Sequence, residues 1–168
     1  MIGVRKFSVA ALDLSTDRSS FECGVEPLDR YFRTEVSQDI KRRVTACFAA
    51  TDANGQTAGY YTLASASVLL ADLPAALAKK LPRYPSVPAV RMGRLAVGQA
   101  YKGEGLGAAL LADALRRAVK AEIAAYALLV DAKDDTAAKF YAHHGFIALP
   151  QRPLFLFMPL AMVKDLIK

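Results

Sequence analysis

The order of its segments predicts an α/β domain, a mixed sheet with helices on its faces. Three observations carry that prediction. Two β-type runs, 44–51 and 57–65, flank the turn Asp52-Ala53-Asn54-Gly55 and read as a hairpin. Further on, strand 89–97 leads through glycines into a helix that ends near residue 121. The chain then alternates again: strand 126–130, helix 136–144, and closing strands from Phe146 onward and over 154–160. At 168 residues there is enough chain for one well-buried core and too little for two, so 1–168 reads as one domain.

The remaining elements follow from local chemistry. Pro27 opens a helical pattern in which Leu28, Tyr31, Phe32, Val36 and Ile40 recur at helical spacing, closed by Lys41-Arg42-Arg43. Asp72 reads as the N-cap of a short helix reaching Leu81, with Pro74 tolerated in its first turn. Pro82, Pro85 and Pro88 force an extended connection. In the helix after the glycines, Asp113, Arg116, Arg117 and Lys120 form a polar face opposite Leu106, Leu110, Leu111 and Ala118. Gly145 suits a left-handed position just past helix 136–144.

Composition narrows the classes. With 54% hydrophobic residues the chain is globular, and a net charge of +6 suits an anionic partner such as a nucleic acid or a phosphorylated cofactor. Cys23 and Cys47 are the only cysteines and no Cys/His cluster exists, so no metal is expected and a reduced, cytoplasmic setting fits. Arg5, Lys6, Asp13 and Asp17 interrupt the N-terminal stretch, and no apolar run approaches the roughly 18 residues of a membrane span. A soluble protein without membrane contact is the expectation.

The chemistry concentrates at Lys102-Gly103-Glu104-Gly105-Leu106-Gly107, between the apolar run Leu95-Ala96-Val97 and a helix. Glycines let the backbone approach a ligand, and the free N–H groups of a first helical turn attract phosphate. A P-loop would end in Gly-Lys-Ser/Thr, whereas this turn ends Gly105-Leu106-Gly107-Ala108. A dinucleotide fingerprint belongs in the first strand–helix unit, and this turn lies past residue 100. Neither fits.

The segment resembles instead the pyrophosphate loop of the GCN5-related N-acetyltransferases, Gln/Arg-x-x-Gly-x-Gly/Ala. Gly105 and Gly107 fall on its small positions, Lys102 replaces the usual Gln or Arg, and Glu104 stands where Arg or Lys is common. A second segment, residues 134–146, is similar to the family's Asn-x-x-Ala-x-x-x-Tyr…Gly-Phe pattern through Ala137, Tyr141, Gly145 and Phe146, with Asp134 in place of Asn. The resemblance implies a mixed, mostly antiparallel sheet with a V-shaped cleft for acetyl-CoA. It implies that the backbone of Leu95, Ala96 and Val97 meets the pantetheine arm. It also implies cofactor contacts from Lys102, Gly103, Glu104, Gly105, Leu106, Gly107 and Ala108, with Asp134 and Ala137. Tyr141 matches the tyrosine that returns a proton to the departing thiolate; a phenol with pKa about 10 suits that role. His143 and His144 read as surface residues at a helix end, where the dipole favours a cation. Cys23 and Cys47 read as packed thiols.

Within the superfamily, Phe21-Glu22-Cys23-Gly24-Val25, Tyr60-Tyr61-Thr62-Leu63, Leu81-Pro82-Arg83-Tyr84-Pro85 and Gly93-Arg94-Leu95-Ala96-Val97 resemble the acetyltransferase toxins of bacterial toxin–antitoxin pairs. That resemblance implies acetylation of the α-amino group of aminoacyl-tRNA, a ribbon-helix-helix antitoxin as partner, and a homodimer. Lys41, Arg42, Arg43, Arg83, Arg91 and Arg94 are the candidate tRNA contacts. Arg91 and Arg94, three apart on a strand, face opposite sides. Acetylation of a small amine or a protein N-terminus remains the alternative, and a non-catalytic acyl-CoA-binding module the more distant one.

Overall fold

The structure, a computed structural model, describes residues 6–164. Strand β1 (Ser8–Ala11) precedes a helical segment made of α1 (Glu26–Arg30), a π-helical turn (Tyr31–Glu35) and α2 (Val36–Lys41). Strands β2 (Ala46–Thr51) and β3 (Thr57–Leu69), helix α3 (Ala75–Ala78) and strand β4 (Ser86–Val97) follow. Helix α4 (Leu106–Lys120), β5 (Ala127–Asp131), α5 (Asp135–His143), β6 (Ile147–Leu149), β7 (Arg152–Pro159) and α6 (Leu160–Lys164) complete the order. The seven strands form one sheet in the order β1-β2-β3-β4-β5-β7-β6. β4 and β5 run parallel, while β1–β2, β2–β3, β5–β7 and β6–β7 are antiparallel. The mixed sheet read from the segment order is therefore present.

The described residues fall into two compact units, 6–64 with 93–114 and 65–92 with 115–164. The first is built on aromatic packing: Phe32 stacks on Tyr60 at 4.5 Å between centroids, and Phe21 meets both rings. Pro27 opens the helical segment as expected, but the segment widens after Arg30, where the Val36 N–H reaches the Tyr31 carbonyl five residues back. Tyr31, Phe32 and Val36 all bury. A carbonyl on the widened turn finds an outside donor, as such turns require: Arg18 Nε donates to Phe32 O at 2.9 Å.

Helix α2 ends in a Schellman arrangement. The N–H of Val44 reaches Asp39 O at 3.1 Å, and that of Arg43 reaches Ile40 O at 3.0 Å. Arg43 takes the left-handed position, φ 62°, normally given to glycine. This turn delays β2 to Ala46, two residues later than the sequence suggests. The hairpin that follows is as read: the Asp52 carboxylate accepts the N–H groups of Asn54 (2.9 Å) and Gln56 (3.0 Å).

The second unit packs Val68, Leu73, Val87, Ala89, Ala127, Leu129, Leu149 and Phe157 into one core. Strand β5 is buried along Ala127, Leu128, Leu129 and Val130, the continuous apolar run of a strand covered on both faces.

Three further expectations change, and two elements were not foreseen. Asp72 is no N-cap: it ends a 3-10 turn, Leu70–Asp72, and Pro74 occupies the N-cap of the shorter α3. Asp113 is not on an exposed face of α4 but 4% exposed, its carboxylate accepting the Tyr61 hydroxyl, which is what allows a carboxylate to bury. β3 runs to Leu69 rather than residue 65. β1 and α6 were not legible; β1 is four residues with three exposed and no alternation to betray it.

Candidate active site

The glycine turn belongs to the first unit. After β4 the chain makes a 3-10 turn, Gln99–Tyr101, fastened on three sides. The Gly98 N–H reaches Ala58 O at 2.7 Å, that of Gln99 reaches Glu22 O at 2.8 Å, and the Tyr101 hydroxyl donates to Asp52 Oδ2 at 2.7 Å. Lys102 Nζ then donates to Cys23 O at 2.8 Å. The cation at the start of the loop is thus anchored to the Phe21–Val25 segment.

Gly103 and Gly105 both take the left-handed region, φ 83° and 79°. A Cβ at either would meet nothing within 4 Å, so the space over the loop is open to a ligand. Ala109 N–H, bonded to Gly105 O at 3.1 Å, makes the first bond of α4. The N–H groups of Leu106, Gly107 and Ala108 precede it, in the first turn, where a helix has no carbonyl of its own to offer them. Such a set suits a pyrophosphate, and the 15-residue α4 adds its dipole. Upstream, the parallel register of β4 with β5 covers Ala89–Met92, and β4 runs on through Leu95, Ala96 and Val97. Ala96 is buried, while Leu95 and Val97 are half-buried.

Tyr141 belongs to the second unit. Asp134 caps α5, its carboxylate accepting the Ala137 N–H at 2.8 Å. These two sequence-derived cofactor residues are therefore bonded to each other, and Asp134 does the capping work that Asn does elsewhere. Gly145 takes φ 93° past the helix, as expected. Tyr141 is 7% exposed between the rings of Phe140 (5.3 Å) and Phe146 (5.6 Å). Burial, reinforced by the nearby Asp131 carboxylate, pushes its phenol up to about 12. His143 and His144 are exposed, as read. Cys23 and Cys47 are buried free thiols, and burial raises both.

The basic residues separate into two groups. Lys41, Arg42 and Arg43 at the end of α2, and Arg83 in the proline-rich connection, are exposed. Arg91 and Arg94 are already engaged: Arg91 Nη2 lies 3.1 Å from Asp131 Oδ2, and the Arg94 guanidinium stacks on the Tyr31 ring. Asp131 and Tyr31 are the site residues that sequence reasoning missed. A carboxylate ending an otherwise apolar strand, Leu128-Leu129-Val130-Asp131, was the available signal for the first. Among the described residues no His/Cys/Asp/Glu group could hold a metal, and no helix is long and apolar enough to cross a membrane.

An open glycine loop at a helix N-terminus, with a protonated buried tyrosine on a later helix, describes an acyltransferase that uses a phosphorylated carrier. Residues 22–155 match the acetyltransferase (GNAT) domain family, and the chain belongs to it. It is 38% identical over 151 residues, 89% of this chain and 87% of the relative, to the tRNA-acetylating toxin of Mycobacterium tuberculosis. Its fold matches that of AtaT complexed with acetyl-methionyl-tRNAfMet, with TM-score 0.89 and 29% identity over 97% of this chain and 100% of AtaT. AtaTR bound with AcCoA matches with TM-score 0.82 and 28% identity over 96% and 98% of the two chains. A variant AtaT toxin bound to the C-terminus of the antitoxin AtaR matches with TM-score 0.80 and 25% identity over 95% and 97%.

Proposed function

We propose that this protein is an acetyl-CoA-dependent N-acetyltransferase toxin that acetylates the α-amino group of aminoacyl-tRNA and so blocks translation. The single observation that carries the proposal is the likeness, over nearly all of both chains, to the tRNA-acetylating toxin of M. tuberculosis. The likeness to AtaT carrying acetyl-methionyl-tRNAfMet supports the same substrate class. Residues 1–168 are read as one N-acetyltransferase domain, since the family match at 22–155 draws on both compact units.

Acetyl-CoA supplies the activated acetyl group. The backbone of Leu95, Ala96 and Val97 holds the pantetheine arm, and the N–H groups from Gly103 to Ala108 hold the pyrophosphate. Lys102 fixes the loop by its bond to Cys23 O. The α-amine nitrogen bonds to the acetyl carbon, the carbon–sulfur bond breaks, and the Tyr141 hydroxyl gives its proton to the sulfur. The amine proton leaves to solvent, and Tyr141 is reprotonated. With its phenol pushed up to about 12, Tyr141 carries that proton throughout the neutral range. Positioning of the two reactants supplies much of the remaining acceleration.

Lys41, Arg42, Arg43 and Arg83 meet tRNA phosphates; the other two candidate contacts, Arg91 and Arg94, are held by Asp131 and Tyr31. A cognate ribbon-helix-helix antitoxin, a homodimer and a cytoplasmic setting belong to the same proposal; the AtaT–AtaR complex supports the antitoxin. The test is to incubate the protein with acetyl-CoA and charged tRNA and to look for the N-acetylated aminoacyl ester. Acetylation of a small amine or a peptide N-terminus, with none of any charged tRNA, would overturn the assignment.

A further inference from the structure

Tyr84, 65% exposed, is the one tyrosine or phenylalanine left exposed among the described residues, and the acetyl-transfer steps do not use it. Its backbone is stiff. Pro82 and Pro85 fix φ on either side of the Arg83-Tyr84 pair, and the Tyr84 N–H closes a tight turn onto Pro82 O at 2.8 Å. The turn is fastened at both ends. Leu81 packs against the core of the second unit, and Leu70 N–H donates to Pro85 O at 3.1 Å. A fixed backbone thus carries a largely exposed aromatic ring with an apolar face and a polar tip, a group suited to contact with a partner.

The charge nearby in sequence indicates the kind of partner. Between Asp72 and Glu104 the sequence holds six cations, Lys79, Lys80, Arg83, Arg91, Arg94 and Lys102, and no carboxylate. Lys79, Lys80 and Arg83 are all exposed and lie within five residues of Tyr84. An exposed aromatic ring close in sequence to exposed cations is the combination that single-stranded nucleic acid uses: bases stack on the ring while phosphates meet the cations.

We propose that Tyr84 is a stacking platform for an unpaired base of the tRNA's single-stranded 3′ end, with Lys79, Lys80 and Arg83 holding its phosphates. The inference rests on the aminoacyl-tRNA reading and adds a residue to it. Because the backbone of the turn is already fixed, little backbone ordering entropy is lost on binding.

The chain contains no tryptophan, so Tyr84→Trp introduces a single fluorescent reporter at the platform. A single-stranded ACCA oligoribonucleotide should quench its emission, and added salt should reverse the quenching as phosphate contacts weaken. In the acetylation assay, Tyr84→Ala should raise KM for charged tRNA by about tenfold, with kcat and acetyl-CoA affinity unchanged. Tyr84→Phe should restore KM, whereas Tyr84→Leu should not. The platform is overturned if the oligonucleotide leaves the emission unmoved, or if Tyr84→Leu performs like Tyr84→Phe. A change of molecular mass in light scattering on Tyr84→Ala would also overturn it, by making the ring a contact between copies of the chain. Failure of the parent protein to acetylate any charged tRNA would defeat the functional assignment instead. The quenching experiment, which needs no turnover, would still decide the platform.

Discussion

The guanidinium carbon of Arg94 lies 3.4 Å from the centroid of the Tyr31 ring, so a cation of β4 is stacked on the π-turn of the helical segment. The ring is held from its other end, because the Tyr31 hydroxyl donates to Asp39 Oδ2 at 2.7 Å. Burial first, and that acceptor second, keep the Tyr31 phenol well above its usual range. Arg94 therefore fastens the wide turn. Arg94→Ala should cost about 1–2 kcal/mol, the value of a partly desolvated cation–π contact. Arg94→Lys should recover only part of it, since an ammonium lacks the stacking plane. Urea denaturation of the three proteins reads the order directly, and equal midpoints would remove Arg94 from this role.

Gly105 and Gly107 should respond oppositely to alanine. Gly105 sits at φ 79° with open space above it, so Gly105→Ala meets no atom but costs about 1 kcal/mol in backbone strain. Relief of that strain would turn the loop and misdirect its N–H groups. Acetyl-CoA affinity, measured by calorimetry, should fall several-fold. Gly107 lies inside the first turn of α4 with ordinary φ, where alanine is the better helix former by up to about 1 kcal/mol. Gly107→Ala should raise the melting temperature and leave acetyl-CoA binding intact. Equal losses of affinity would show that volume, not backbone conformation, limits the loop.

Tyr141→Phe removes the proton donor and leaves the ring packing between Phe140 and Phe146. Turnover on charged tRNA should drop by about 10²–10⁴, with acetyl-CoA affinity nearly unchanged. The proton also gives a pH signature. The folded-state value is raised to about 12 from an ordinary 10, so the folded protein holds a proton that the unfolded chain releases. The corresponding stability is complete below about pH 10 and is lost as pH rises toward 12. Tyr141→Phe should flatten that part of the alkaline loss, and turnover should show no decline from Tyr141 ionisation below about pH 11. An alkaline limb near pH 9 that vanishes in Tyr141→Phe would contradict the assignment.

How far the sequence could be read depended on whether a local rule decided each element. The hairpin, the Pro27 helix start, α5 with its Asp134 cap and Gly145 stop, and the glycine turn each rest on chemistry within a few residues, and all are present. Asp113 was misplaced because helical periodicity counts a carboxylate as polar and has no knowledge of Tyr61, 52 residues away, whose hydroxyl permits its burial. Arg91 and Arg94 looked like free phosphate contacts for the same reason: Asp131 and Tyr31 reach them only through the fold. The Asp72 cap failed on Pro74, which took the cap itself and shortened the helix. The π-turn leaves no periodic trace, since Tyr31, Phe32 and Val36 satisfy an ordinary helix pattern as well.

Arg43 combines an unfavourable backbone with a favourable charge, and one substitution separates them. Its φ of 62° occupies the C′ position of a Schellman motif whose two hydrogen bonds, Val44 N–H to Asp39 O and Arg43 N–H to Ile40 O, are both made. Glycine would take that position without the side-chain penalty, so Arg43→Gly should stabilise the fold by about 1 kcal/mol. If the end of α2 meets tRNA phosphates, the same change should weaken tRNA binding and lower the slope of log affinity against log salt by about one phosphate contact. Arg43→Asn, which also tolerates the left-handed region, should behave like glycine in both respects. Thermal denaturation and salt titrations of tRNA binding supply the two readouts. A more stable protein whose tRNA affinity and salt slope are unchanged would show that Arg43 carries its strain without contacting the nucleic acid.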